Sequence, residues 1–232
     1  MSEFVMMDKE NAFGWYGKVP FVGDFVQSGL SPGFVQAWDH WLQGLMITGQ
    51  EVLQDQWVSC YMSAPIWRFA LSSGICGSHA VAGIIMPSVD RVGRPFPLCL
   101  AMEAEDPAWV IYKRLAPVFP ALEAAALAML EEDATLDLLQ QALHQVPEED
   151  LISSDLVSGT PKSNLPLLFK GREEEALDGL KQHEQATLWI SSHDEENRIL
   201  LTSQMPGGSE MAKVIFNLNA PIWGTPSPTG KP

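Results

Sequence analysis

The sequence predicts an α/β protein: a mixed sheet of about six strands covered by helices on both faces, as a sandwich, and not a purely parallel sheet. Three observations lead there. Short β-prone stretches are interspersed with longer runs of helical periodicity along the 232 residues, the pattern of a sheet under helical cover. Ala80 to Met86 is apolar at every position, as a central strand with helices on either side must be. Only turn material, Gly74-Ile75-Cys76-Gly77, separates it from the strand-like Ile66 to Leu71, so a hairpin is expected there.

Phe13 to Lys18 is short and aromatic and reads as a strand ending before Pro20, and Gly23 to Val26 reads as a second extended piece. Ser31 offers an N-cap with Pro32 at the first helical position. Phe34, Val35, Trp38, Trp41, Leu42, Leu45 and Met46 follow at helical spacing. This apolar stripe reads as core rather than a ligand box. A second helix is expected from Glu51 to Tyr61, stopped by Pro65. In the next strand Trp67, Phe69 and Leu71 share one face and Arg68 takes the other.

After a strand at Leu98 to Glu103, helical sequence starts at Asp106 and is broken by Pro117 and Pro120. Ala121 to Glu132 is alanine-rich and helix-forming, and Thr135 caps a further helix to Gln145. Residues 147–170 read as a long surface connection or the edge of a small subdomain. A short helix at Glu173 to His183, strands at Thr187 to Ile190 and Arg198 to Thr202, and a last helix from Ser209 to Phe216 complete the pattern. One domain over 1–220 is expected, with a motif-bearing half at about 13–102, an acidic helical half at about 103–220, and a disordered tail at 221–232.

The net charge is −15 and it is unevenly placed: residues 101–200 hold 20 acidic and 7 basic side chains, against 8 and 5 in residues 1–100. That balance argues against nucleic acid and anionic membranes as partners. No apolar run reaches membrane-spanning length and the start lacks a signal-peptide pattern, so a cytoplasmic protein without membrane insertion is expected. Cys60, Cys76 and Cys99 read as small buried hydrophobes in a reducing compartment.

Catalytic patterns are thin. Gly159-Thr160-Pro161-Lys162-Ser163 imitates the end of a phosphate-binding loop, but proline stands where an N–H donor is needed. Cys76 and His79 form the one close Cys/His pair, too little for a metal site. Either Cys76 or Ser78 could be paired with His79 as a dyad, yet no nucleophile elbow surrounds them. No cofactor, metal ligand or catalytic residue is assigned.

What stands out is a set of charges at apolar strand ends: Lys18, Asp24, Arg68, Asp90, Arg91 and Arg94, with Trp67 beside Arg68. The densest part is Met86-Pro87-Ser88-Val89-Asp90-Arg91-Val92-Gly93-Arg94-Pro95-Phe96-Pro97-Leu98, where three prolines restrict the backbone. Two uses are open. The charges pair within the protein and stiffen its loops, or they form a recognition surface in which arginine forks take carboxylate or phosphate. A hydrolase centred on Asp90, Arg91 and Arg94 and a structural subunit are the rival readings.

These stretches, together with Gly14-Trp15-Tyr16-Gly17-Lys18-Val19-Pro20, Gly23-Asp24-Phe25-Val26, Trp38-Asp39-His40-Trp41-Leu42 and Ala64-Pro65-Ile66-Trp67-Arg68-Phe69, resemble the TagF (ImpM) family of type VI secretion-associated proteins. The likeness is collinear over roughly residues 13–102 and looser beyond, through Leu188-Trp189 and the glycine-rich turn before the last helix. Phe21-Val22 stand where the family often has small or basic residues. The resemblance implies an α/β sandwich and a cytoplasmic, non-enzymatic accessory protein. It further implies a post-translational repressor that binds the forkhead-associated scaffold protein of the secretion system.

Overall fold

A computed structural model describes residues 13–146, 167–193 and 196–224. Strands β1 (Gly14–Gly17) and β2 (Val26–Ser28) pair antiparallel and lead into helix α1 (Pro32–Leu53). A single 3-10 turn joins α1 to α2 (Trp57–Met62). Strands β3 (Trp67–Leu71), β4 (Ala80–Met86) and β5 (Leu98–Ala104) follow. Helices α3 (Ala108–Leu115), α4 (Phe119–Ala128) and α5 (Leu136–His144) come next. The chain is then described through β6 (Leu167–Lys170), α6 (Glu173–Gln182), β7 (Thr187–His193), β8 (Glu196–Thr202), α7 (Gly208–Phe216) and the helical turn α8 (Pro221–Gly224).

Among the described residues the strands form one eight-stranded sheet in the order β2-β1-β5-β4-β3-β7-β8-β6. Every neighbouring pair is antiparallel, so the exclusion of a parallel sheet holds throughout and no parallel pair is mixed in. The expected hairpin is β3–β4, with Trp67 opposite Ile85 and Leu71 opposite Val81. The count of eight exceeds the expected six partly because Leu167–Lys170, read as connection, pairs with β8 at the sheet edge. Four residues are too few to display a period. The rest of that connection, the imitation phosphate loop and the tail beyond Gly224 lie outside the described residues, while Pro221–Gly224, expected within the tail, is helical with Trp223 buried.

Alternation along the strands divides the core in two. Ala82, Ile84, Leu98, Leu100, Leu188 and Ile190 face α3, α4, α5 and α6. Trp67, Phe69, Leu71, Ile85, Trp189 and Leu200 face α1, α2, α7 and α8. The second layer is aromatic: Trp38 of α1 lies 4.8 Å from Phe69 and Trp41 lies 5.3 Å from Trp189, ring centre to ring centre. The tryptophan stripe is core, as its spacing suggested.

Two helix boundaries moved for physical reasons. Helix α1 continues to Leu53 because Gly49 lets Trp57 close on it, and the break comes at Gln54, the one described non-glycine residue with positive φ (+45°). Helix α4 begins at Phe119, since Pro120 in the first turn starts a helix rather than breaking it, and ends at Ala128, before acidic Glu131-Glu132-Asp133 would crowd the negative end of its dipole.

Gly17 tests how tightly β1 is seated. Its φ is +144°, and a Cβ there would lie 2.1 Å from the Pro97 carbonyl oxygen. Gly17→Ala is expected to cost at least about 2 kcal/mol in urea unfolding. Gly44→Ala, in α1 with nothing within 4 Å of the new methyl, is expected to stabilise by about 1 kcal/mol.

Candidate functional site

Strand β4 ends at Met86 and β5 begins at Leu98, and the loop between them folds over one buried carboxylate. Asp90 is 2% exposed. Its Oδ1 accepts the backbone N–H groups of Val92 (3.0 Å) and Arg94 (2.9 Å). Its Oδ2 accepts Arg94 Nε at 2.6 Å and pairs with Lys18 Nζ at 3.0 Å. The loop backbone closes around it: Asp90 N–H donates to the Arg94 carbonyl, Gly93 N–H to the Asp90 carbonyl, and Phe96 N–H to the Ser88 carbonyl. Gly93 carries the turn at φ +81°, a conformation that suits glycine. Val89 and Pro95 form a bridge below it.

The loop is also held from two sides. Tyr61 of α2 donates its phenol to the Ser88 carbonyl (2.6 Å) and accepts the Ser88 N–H (3.1 Å). Burial is the main reason its phenol is pushed well above the ordinary tyrosine value, partly offset by the Ser88 backbone. From the β1–β2 connection, the Val22 carbonyl accepts Arg91 N–H (2.9 Å) and the Gly23 carbonyl accepts Arg94 Nη2 (2.9 Å). Two loops from different hairpins are thereby joined into one surface.

The seven residues singled out from the sequence divide into three groups. Lys18, Asp90 and Arg94 come together as the lock. Arg91 and Asp24 lie exposed beside it, and the Arg91 guanidinium packs against Gly23, 3.2 Å from where a Cβ would stand. Trp67 and Arg68 go elsewhere, into the two core layers. Trp67 Nε1 donates to the Ile215 carbonyl of α7 at 3.1 Å. Arg68 donates to Glu123 of α4 at 2.6 Å and its guanidinium lies 5.1 Å from the Phe119 ring centre.

Three aromatic rings support this surface, Phe25 exposed and Tyr16 and Phe96 buried beneath it. Phe25 stacks on Tyr16 at 5.6 Å and meets Phe96 edge-on at 4.7 Å, with Lys18 Nζ 5.1 Å from its centre. The Tyr16 phenol donates to Asp39 of α1 at 2.6 Å. No local pattern announces such pairs: Tyr61 and Ser88 are 27 positions apart, and Tyr16 and Asp39 are 23.

Of the groups considered for catalysis, Ser78 and His79 are in contact, the hydroxyl 3.4 Å from the ring Nδ1, on an exposed turn before β4 and away from Asp90. His79 precedes β4 at the strand end opposite Asp90 and contacts Glu105 at 3.0 Å. The Cys76 thiol is buried and pushed up to about 12, by burial first and by the Glu103 carboxylate second, which leaves it protonated and unreactive at neutral pH. Among the described residues no three His, Cys, Asp or Glu side chains gather as metal ligands, and no helix is long and apolar enough to cross a membrane.

Burial on its own would raise the Asp90 pKa; the Arg94 N–H, the Lys18 and Arg94 side chains and the Val92 N–H outweigh it and hold the carboxyl below the usual carboxylate range. A depressed folded-state pKa contributes stability that is complete above the unfolded value of about 3.9 and is withdrawn as pH falls below it towards the folded value. The wild type is therefore expected to lose urea stability on acidification through that window. Asp90→Asn, less stable at neutral pH, is expected to show a flatter profile there; parallel profiles would contradict the assignment.

Residues 14–146 match the TagF N-terminal domain, a type VI secretion system-associated family. The fold resembles PA0076 from Pseudomonas aeruginosa PAO1, with a TM-score of 0.66, 28% sequence identity, and coverage of 95% of this chain and 100% of that one. No curated protein matches the sequence. The match takes in β1 to α5, and with them both loops of the Asp90 lock, so the chain belongs to the TagF N-terminal domain family of type VI secretion-associated proteins.

Proposed function

We propose that this chain is a cytoplasmic, non-enzymatic accessory protein that restrains type VI secretion after translation by binding the system's forkhead-associated scaffold protein. Family membership supports the secretion system as its setting. The observation that carries a binding role is the division of labour in the Asp90 loop. Lys18 and Arg94 are spent on the buried carboxylate, while Arg91 and Val92, the latter 70% exposed, face solvent from a backbone held by hydrogen bonds at both ends. Arginine is a residue type enriched at interface hot spots, and one ordered before the partner arrives loses less freedom on binding. Phe25, 39% exposed, extends the same surface. No cofactor enters this function.

Purified scaffold protein is expected to be retained by the immobilised full chain. Arg91→Glu leaves the Asp90 lock intact and is expected to weaken retention at least about tenfold and to release secretion in cells, with unchanged thermal unfolding. Failure of the wild type to retain the scaffold protein would overturn the function. Unchanged retention and repression with Arg91→Glu would overturn the surface.

A further inference from the structure

The sheet ends at β2. Among the described residues β1 is its one strand neighbour, and Gln27 and Ser28 are exposed. Alternation turns Val26 into the core layer under α3 to α6, which leaves Phe25 and Gln27 on the α1 side with Tyr16. Between this edge and the first turns of α1 runs an open groove of about 550 Å³. Leu30, Pro32, Val35 and the Phe25 ring give it apolar walls. A groove with a strand edge on one side and a helix on the other is where an extended peptide adds to a sheet: main-chain bonds supply affinity, and alternate side chains enter the groove. An edge of three residues offers little to a stray strand, so the groove's side chains must select the occupant.

Their chemistry is acidic. Asp39 stands in the helix wall and accepts hydrogen bonds from the Tyr16 phenol (2.6 Å) and the Gln43 amide (2.7 Å), both neutral donors. Asp24 stands at the entry to β2, where its Oδ1 accepts the Phe25 N–H at 2.8 Å. Neither carboxylate has an ion pair among the described residues, in contrast to Asp90 next door, which has two.

We propose that this groove takes an extended segment of a partner protein as an added strand on β2, with a basic side chain of that segment between Asp24 and Asp39. The inference rests on the reading of the chain as a binding protein. It assigns a site adjoining the Arg91 surface but opposite to it in charge preference, so that one partner would place an acidic group on Arg91 and a basic one in the groove.

Amide hydrogen exchange of the full chain, with and without the purified forkhead-associated protein, tests it. The amides of Val26–Ser28 that point away from β1 are expected to slow at least about tenfold in the complex. The double variant Asp24→Lys with Gln36→Lys, both exposed positions on the groove, is expected to bind at least about tenfold more weakly and with a shallower salt dependence, at unchanged thermal midpoint. Complex formation with unaltered β2 exchange and an unaltered affinity of the double variant would overturn this inference and leave the function standing. Strong protection of those outward-facing amides already in the free protein would give the groove to a segment of this chain and overturn the partner assignment. Absence of binding by the wild type would overturn both readings.

Discussion

The Asp90 carboxylate is the constraint on which the surface of this protein depends. It accepts two backbone N–H groups, a guanidinium and an ammonium while almost wholly buried. A carboxylate taken out of water at that depth is tolerable only when its lone pairs are met in this way. Arg94 in turn reaches the Gly23 carbonyl and Lys18 lies against Phe25. One side chain therefore fixes the β4–β5 loop internally and fastens it to the β1–β2 connection. Removing it would leave Lys18, itself 8% exposed, as a buried amine without its ion-pair partner.

The sheet makes that junction possible. Because β1 pairs with β5 and β5 with β4, the ends of three adjacent strands bring Gly17, Leu98 and Met86 to one margin of the sheet. Gly17 allows the Pro97 carbonyl to approach the β1 backbone. Tyr61, at the end of the α1–α2 layer, reaches the same margin and takes both backbone groups of Ser88. The candidate surface thus sits on loops positioned by a rigid scaffold, and the antiparallel order places them side by side.

Much of the scaffold was legible because it obeys short-range rules. Ser31 accepts the Phe34 N–H as the expected N-cap with Pro32 behind it, and Thr135 does the same for Leu138. Trp67, Phe69 and Leu71 alternate against Arg68 as a two-sided strand requires. The loop was legible as a dense charged stretch, yet the division of its charges was not. Asp90 and Asp24 look alike in sequence; one is locked and the other exposed, and the difference lies in the loop N–H groups and Arg94 that wrap Asp90 together with Lys18, 72 positions before it. Arg68 belonged to the same family motifs but serves packing, through Glu123 and Phe119. The aromatic trio and the groove beside β2 arise from long-range register, for which a single sequence carries no local signal.

The claim that one carboxylate orders this surface is tested most directly by native-state hydrogen exchange on the free protein at neutral pH. The amides of Asp90, Gly93, Arg94 and Phe96 are expected to exchange nearly as slowly as those of β4 and β5, and Asp90→Asn to release these loop amides together while the strands stay protected. Fast exchange of those four amides in the wild type, or protection that survives Asp90→Asn, would contradict it.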